Sequence, residues 1–231
     1  MNPDQWRTYL VTQQTLSADR STVEISEAAI EGGVDAIQLR EKEMDARSRY
    51  ELGQELRELT DEAGVDLIIN DRIDLARAID ADGVHLGQSD LPISVAREQL
   101  GDDAIIGASV STVSEARLAA ITGADYLGVG AIYGTTSKPE APTADDGLGL
   151  DTLADIIQTV KIPVVAIGGI TPANAAEPIA AGATAVAVIS AITAAEDPAE
   201  AARELCTAVE GDGVDADTAA DSDAEAEAAD D

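Results

Sequence analysis

The feature that most constrains this chain is an alternation that persists eight times. Short, continuously apolar runs occupy 9–12, 36–40, 67–70, 84–87, 105–109, 126–132, 163–169 and 185–190. Each is too short for a helix and too evenly apolar for a strand with one wet face, so each reads as a buried parallel strand. Between them lie amphipathic stretches such as 46–63, 73–81, 92–100, 112–122, 150–160 and 172–181, patterned as helices. Eight β-α units are the number that closes a (β/α)8 barrel, and 231 residues suit one such domain. An open, doubly wound sheet is the alternative. It would place a glycine-rich phosphate loop after the first strand, where Gln13-Gln14-Thr15 stands instead.

The domain is expected over 1–210, with 211–231 as a separate acidic tail. That tail holds nine Asp or Glu, no Lys or Arg, and too little apolar surface to offset its ordering entropy, so it is expected to be disordered. The whole chain carries 14 Lys+Arg against 45 Asp+Glu, a formal charge of −31; without the tail, 36 acids face 14 bases, near −22. Acid spread over every helix face, with only three lysines, suggests adaptation to high intracellular salt. The lack of a basic stripe disfavours nucleic acid as a partner. No run is long enough to span a membrane and no secretory signal opens the chain, so the expected location is the cytoplasm, and a homo-oligomer is left open. The single Cys206 rules out an internal disulfide and reads as a small core-facing hydrophobe.

In so acidic a molecule an anionic substrate needs a cationic pocket built locally. Barrel sites gather at the C-terminal ends of the strands, and polar residues accumulate there. Gln38, Arg40 and Lys42 are spaced by two; if the second strand stays extended, all three point into the barrel mouth. Asp71 and Asp90 follow the third and fourth strands. Either is a candidate helix N-cap, and together they are suited to a shared Mg²⁺. Thr135, Thr136 and Ser137 place hydroxyls beside Lys138 in a long loop, 133–149, that reads as a lid. Gly168-Gly169 and Ile189-Ser190 stand where barrels hold a phosphate on backbone amides. His85, the only histidine, reads as a hydrogen-bonded barrel residue rather than a base.

In chain order, Gln38-Leu39-Arg40-Glu41-Lys42, Ile69-Asn70-Asp71-Arg72, Val84 to Gln88 with Asp90, Gly107-Ala108-Ser109, Thr135 to Lys138, Ile167 to Ile170 and Val188-Ile189-Ser190 closely resemble the thiamine-phosphate synthase family. The resemblance implies small-molecule substrates: 4-amino-2-methyl-5-(hydroxymethyl)pyrimidine diphosphate and 4-methyl-5-(hydroxyethyl)thiazole phosphate, joined with release of diphosphate. It assigns the pyrimidine diphosphate to Gln38, Leu39, Arg40, Glu41, Lys42, Asn70, Ser109 and Lys138, and Mg²⁺ to Asp71 and Asp90. The thiazole phosphate falls to Thr135, Thr136, Ser137, Gly169, Ile189 and Ser190. The implied chemistry is dissociative, with Arg40, Lys42 and Lys138 stabilising the departing group. Two departures touch the lid: Gly134 stands where the family usually has proline, and Pro139 follows Lys138. A thiazole tautomerase-like relative would lack part of the diphosphate and metal set. A non-catalytic thiamine-phosphate-binding protein is the other alternative.

Overall fold

The computed structural model describes residues 2–135 and 147–211. All eight apolar runs form strands: β1 (Thr8–Val11), β2 (Ala36–Leu39), β3 (Asp66–Asn70), β4 (Gly83–Leu86), β5 (Ile105–Val110), β6 (Tyr126–Gly130), β7 (Val164–Ile167) and β8 (Ala185–Val188). Every neighbouring pair is parallel, in chain order, and β1 closes the ring on β8 with Tyr9 opposite Ala187. The closed (β/α)8 barrel therefore replaces the open-sheet alternative.

Around it run α1 (Thr22–Glu31), α2 (Ala46–Ala63), α3 (Ile73–Ile79), α4 (Ile93–Leu100), α5 (Val113–Ile121), α6 (Gly149–Ile157), α7 (Ala176–Ala180), α8 (Ser190–Thr193) and α9 (Pro198–Glu210). Local chemistry explains several boundaries. Reciprocal capping boxes start α1 (Ser21, Glu24) and α5 (Thr112, Glu115), and the left-handed Gly64 stops α2. The helix expected over 172–181 contracts to α7. The Asn174 carboxamide accepts from the Thr171 amide at 2.8 Å and donates to the Gly169 carbonyl at 3.1 Å, holding that stretch as a turn. The last strands also end sooner than expected, β7 because Gly168 and Gly169 take φ of 102° and 72°.

Because side chains alternate along a strand, each strand divides between two compartments. Leu10, Ile37, Leu67, Ile69, Val84, Ile106, Leu127, Ala166 and Val186 face outward to the helices. Tyr9, Val11, Ile68, Tyr126, Val165 and Ala187 fill the interior with Trp6, whose indole donates to the buried Asp66 carboxylate at 2.8 Å. Trp6, Tyr9 and Tyr126 are three of only five aromatic side chains, all placed inside the barrel.

The opposite, N-terminal end is stapled by a fourfold device. Asp35, Asp82, Asp125 and Thr184 each precede an even-numbered strand. Each accepts from a backbone amide of the strand before it: Thr8 at 2.9 Å, Leu67 at 2.7 Å, Ile106 at 2.7 Å and Val164 at 3.3 Å. Arg57 and Arg97 bind the same carboxylates of Asp82 and Asp125, each at 2.6 Å. Cys206 is half-buried rather than in the core, its sulfur between the Thr8 hydroxyl and the Gly33 carbonyl. Among the described residues no helix is long and apolar enough to cross a membrane. The acidic tail lies outside the described residues from 212 onward.

Candidate active site

At the C-terminal mouth the inward positions of four strands are polar: Gln38 on β2, Asn70 on β3, His85 on β4 and Ser109 on β5. Gln38, Asn70 and His85 are buried, and Ser109 is half-buried, facing a narrow cavity that Gln38 and His85 also line. Asn70 lies directly opposite His85 in register.

The expected inward run of Gln38, Arg40 and Lys42 is realised for two of the three. β2 ends at Leu39, yet the Arg40 amide still reaches the Thr12 hydroxyl at 3.0 Å, and its guanidinium, buried at the mouth, donates to the Gln13 carboxamide at 3.1 Å. Lys42 lies past the strand in a turn. Half-exposed, it pairs with Asp71 at 3.3 Å instead of continuing the strand's alternation. Between them, Leu39 is fully buried against the helices, and the Glu41 carboxylate is taken up by the Gln14 amide at 3.0 Å and the Thr22 hydroxyl at 3.0 Å. Those two side chains hold the scaffold.

Asp71 and Asp90 converge. Neither caps a helix, since Arg72 and Pro92 occupy the cap positions of α3 and α4. Asp71 adopts φ of 63°, uncommon for a residue with a Cβ, and its amide is held by the His85 carbonyl at 2.9 Å. Asp90 accepts from the Gly87 amide at 2.7 Å. Burial raises the Asp90 carboxyl above its ordinary range; the Gly87 amide pulls it down, contact with Asp71 pushes it up again, and Lys42 opposes that rise. Two carboxylates brought together repel unless a proton or a cation lies between them, so this donor set fits a divalent ion. Among the described residues no third His, Cys, Asp or Glu joins them, so such an ion would complete its shell with water and substrate oxygens.

Across the mouth, Gly168 and Gly169 are required by the neighbouring loop. A Cβ on Gly169 would come within 2.7 Å of the Gly134 carbonyl oxygen, and one on Gly168 within 2.4 Å of the Ala131 side chain. The Tyr133 amide donates to the Gly168 carbonyl at 3.0 Å and the Tyr133 hydroxyl to Glu177 at 2.6 Å, which anchors the start of the long loop to β7 and α7. α8 opens at the exposed Ser190, with Ile189 turned into the barrel core. Thr135 is half-buried beside the anchored loop, whereas Thr136, Ser137, Lys138 and Pro139 lie outside the described residues.

Sequence reasoning missed Tyr9 and Tyr126. Gln38 donates to the Tyr9 hydroxyl at 2.9 Å, Tyr9 meets Tyr126 at 3.0 Å, Tyr126 meets His85 Nδ1 at 2.9 Å, and His85 Nε2 meets Ser109 at 2.8 Å. His85 is thus hydrogen-bonded at both ring nitrogens, as expected, but through partners 41 and 24 residues away that no local pattern marks. The one available signal was scarcity: two inward tyrosines in a chain with 2% aromatic residues.

The Thiamine monophosphate synthase family model matches residues 8–192. The thiamine-phosphate synthase of Haloarcula marismortui is 61% identical over 205 residues, covering 89% of this chain and 97% of that protein. That of Natronomonas pharaonis is 62% identical over 203 residues, covering 88% and 94%. Thiamine phosphate pyrophosphorylase from Pyrococcus furiosus superposes with a TM-score of 0.82 at 43% identity, covering 90% of this chain and 98% of that one. The closed barrel, the polar strand ends and these likenesses agree: the chain belongs to the thiamine monophosphate synthase family.

Proposed function

We propose that this enzyme, a transferase, forms thiamine phosphate by joining the pyrimidine diphosphate to the thiazole phosphate and releasing diphosphate, with Mg²⁺ as its metal. The observation that carries the reading is the convergence of Asp71 and Asp90 beside Lys42, at the same mouth as the buried Arg40. In this reading Asp71 and Asp90 hold Mg²⁺, which when bound supplies positive charge against the diphosphate oxygens. Arg40 and Lys42 bind the same diphosphate, Asn70 orients it, and Gln38 and Ser109 receive the pyrimidine. As the carbon–oxygen bond breaks, negative charge grows on the leaving group, and Arg40, Lys42 and Lys138 stabilise it where it develops. The pyrimidinylmethyl cation left behind is captured by the thiazole nitrogen, so no protein nucleophile is needed. Thr135, Thr136, Ser137, Gly169, Ile189 and Ser190 hold the thiazole phosphate, supported by the amides that open α8.

The tautomerase-like alternative is disfavoured because Arg40, Lys42, Asp71 and Asp90 are all kept and three of them meet. The test supplies both substrates with Mg²⁺, or with chelator, and assays thiamine phosphate. Turnover is expected only with the metal, and Asp71→Asn is expected to lose activity by roughly 100-fold or more while keeping its fold. Product formed at an unchanged rate in chelator, or by Asp71→Asn, would remove the metal from the reading. A protein that binds thiamine phosphate and never turns over would be the non-catalytic binder.

A further inference from the structure

The buried chain Gln38–Tyr9–Tyr126–His85–Ser109 joins one side of the barrel to the other through four consecutive hydrogen bonds of 2.8–3.0 Å. Its protons can be assigned by counting. The Gln38 amide nitrogen only donates, so the Tyr9 oxygen accepts there and its single proton goes on to Tyr126. Tyr126 in turn donates to His85 Nδ1, which leaves a neutral imidazole with its proton on Nε2, directed at the Ser109 oxygen. The Ser109 hydroxyl proton is thereby released toward the mouth, and the Gln38 carbonyl oxygen remains an acceptor at the other end. Burial keeps both phenols protonated well above their ordinary range, so the relay does not ionise near neutral pH.

The backbone is shaped for this relay. A Cβ on Gly107 would fall 2.2 Å from the Tyr126 ring, and one on Gly128 would fall 2.9 Å from the His85 ring. Adjacent strands thus carry glycine where the two rings must lie. Trp6 packs edge-on against Tyr126, its ring centroid 5.0 Å away, and closes the chain off from the far end of the barrel.

We propose that Tyr9, Tyr126 and His85 are positioning residues that fix the polarity of substrate recognition, making Gln38 an acceptor and Ser109 a donor. A ring with an exocyclic amine and an unprotonated ring nitrogen satisfies both ends. Its 4-oxo counterpart, with carbonyl and ring N–H exchanged, makes neither of these two bonds and is left with the second Gln38 amide proton and the remaining Ser109 lone pair. The substrate part of this proposal rests on the pyrimidine reading given above; the proton assignment does not.

His85 is the only histidine, so imidazole ¹⁵N spectra of the ligand-free protein report one residue. The Nε2–H tautomer is expected, and the Nδ1–H tautomer would overturn the assigned polarity whether or not the protein is active. In turnover, the ratio of kcat/KM for the 4-amino and 4-oxo pyrimidine diphosphates is the second measurement. Tyr126→Phe keeps the ring and breaks the relay, so the ratio is expected to fall by about tenfold, the usual effect of one lost buried hydrogen bond. Tyr9→Phe breaks it elsewhere and should do the same, while the double variant should fall no further, because a relay is broken only once. If Tyr126→Phe fails to fold, Tyr9→Phe carries the test. Unchanged ratios in the folded variants, or losses that simply add, would show that the tyrosines only fill space. A protein with the expected tautomer that makes no thiamine phosphate would instead sink the proposed function and leave the relay standing.

Discussion

Lys42 meets Asp71 at 3.3 Å, so in the substrate-free protein a cation of the pocket neutralises a carboxylate of the pocket. Half-exposed, the pair adds little stability by itself. In the proposed reading it keeps both groups at the rim, where a metal diphosphate would insert between them. Lys138 is the third cation of the proposed diphosphate site, after Arg40 and Lys42, and it lies outside the described residues. Lys138→Ala is expected to lower kcat by roughly 10²–10³, as removal of a donor to developing charge does elsewhere, with a smaller change in affinity. Lys161, exposed before β7 at the other end of the barrel, is the control, and Lys161→Ala should be near neutral. Single-turnover rates for the two variants decide this: equal behaviour would reduce Lys138 to ordinary surface charge.

The two ends of the barrel differ, with the proposed chemistry at one and a repeated capping contact at the other. At the mouth, β2 ends at Leu39, Arg40 still follows its inward alternation, and Lys42 leaves it to reach Asp71. At the far end, Asp35, Asp82, Asp125 and Thr184 repeat one capping contact around the ring. Part of the acid in this sequence is therefore structural. Asp125→Ala leaves the amide of the buried Ile106 without its acceptor and takes its carboxylate from Arg97, whose guanidinium keeps the carbonyls of Gly101, Asp102, Ala104 and Gly123. It should cost about 1–3 kcal/mol. The melting temperature should drop by roughly 2–4 °C per kcal/mol for a barrel of this size. The exposed Asp103, on the same rim, is the comparison, and Asp103→Ala should stay within about 0.5 kcal/mol. Equal melting temperatures for the two variants would refute the capping account.

Across the whole molecule the charge balance is one-sided. With 45 acids to 14 bases, most carboxylates have no cationic partner to meet, and repulsion among them opposes compaction. At 1 M salt the Debye length is about 3 Å, short enough to isolate neighbouring surface charges. The melting temperature is therefore expected to rise as KCl increases from about 0.1 to 2 M, a span chosen to bracket that screening length. A flat or falling curve would contradict the salt-adapted reading. The proposed division into a barrel over 1–210 and a separate tail is tested in the same way. Removing 212–231 should leave the melting curve and its salt dependence in place, because the 36 acids of the body remain.

The architecture was legible in the chain because it follows from period. Eight apolar runs set off by amphipathic stretches admit few packings, and α2 was readable residue for residue. Of the candidate site, alternation marks Gln38 and Arg40, the polar end of the third strand marks Asn70, and the family resemblance supplies Ser109, while His85 reads as structural. Tertiary structure alone decided what those residues touch. The turn after β2 sends Lys42 to Asp71, and the ring glycines Gly168 and Gly169 are explained by the loop they pack against. Glu41 serves the β1–α1 connection, and two tyrosines 117 residues apart share a hydrogen bond in the barrel's centre. Periodicity depends on neighbours along the chain and survives in the sequence as a pattern. Contacts across a closed barrel depend on register and curvature, and those exist only once the ring has closed.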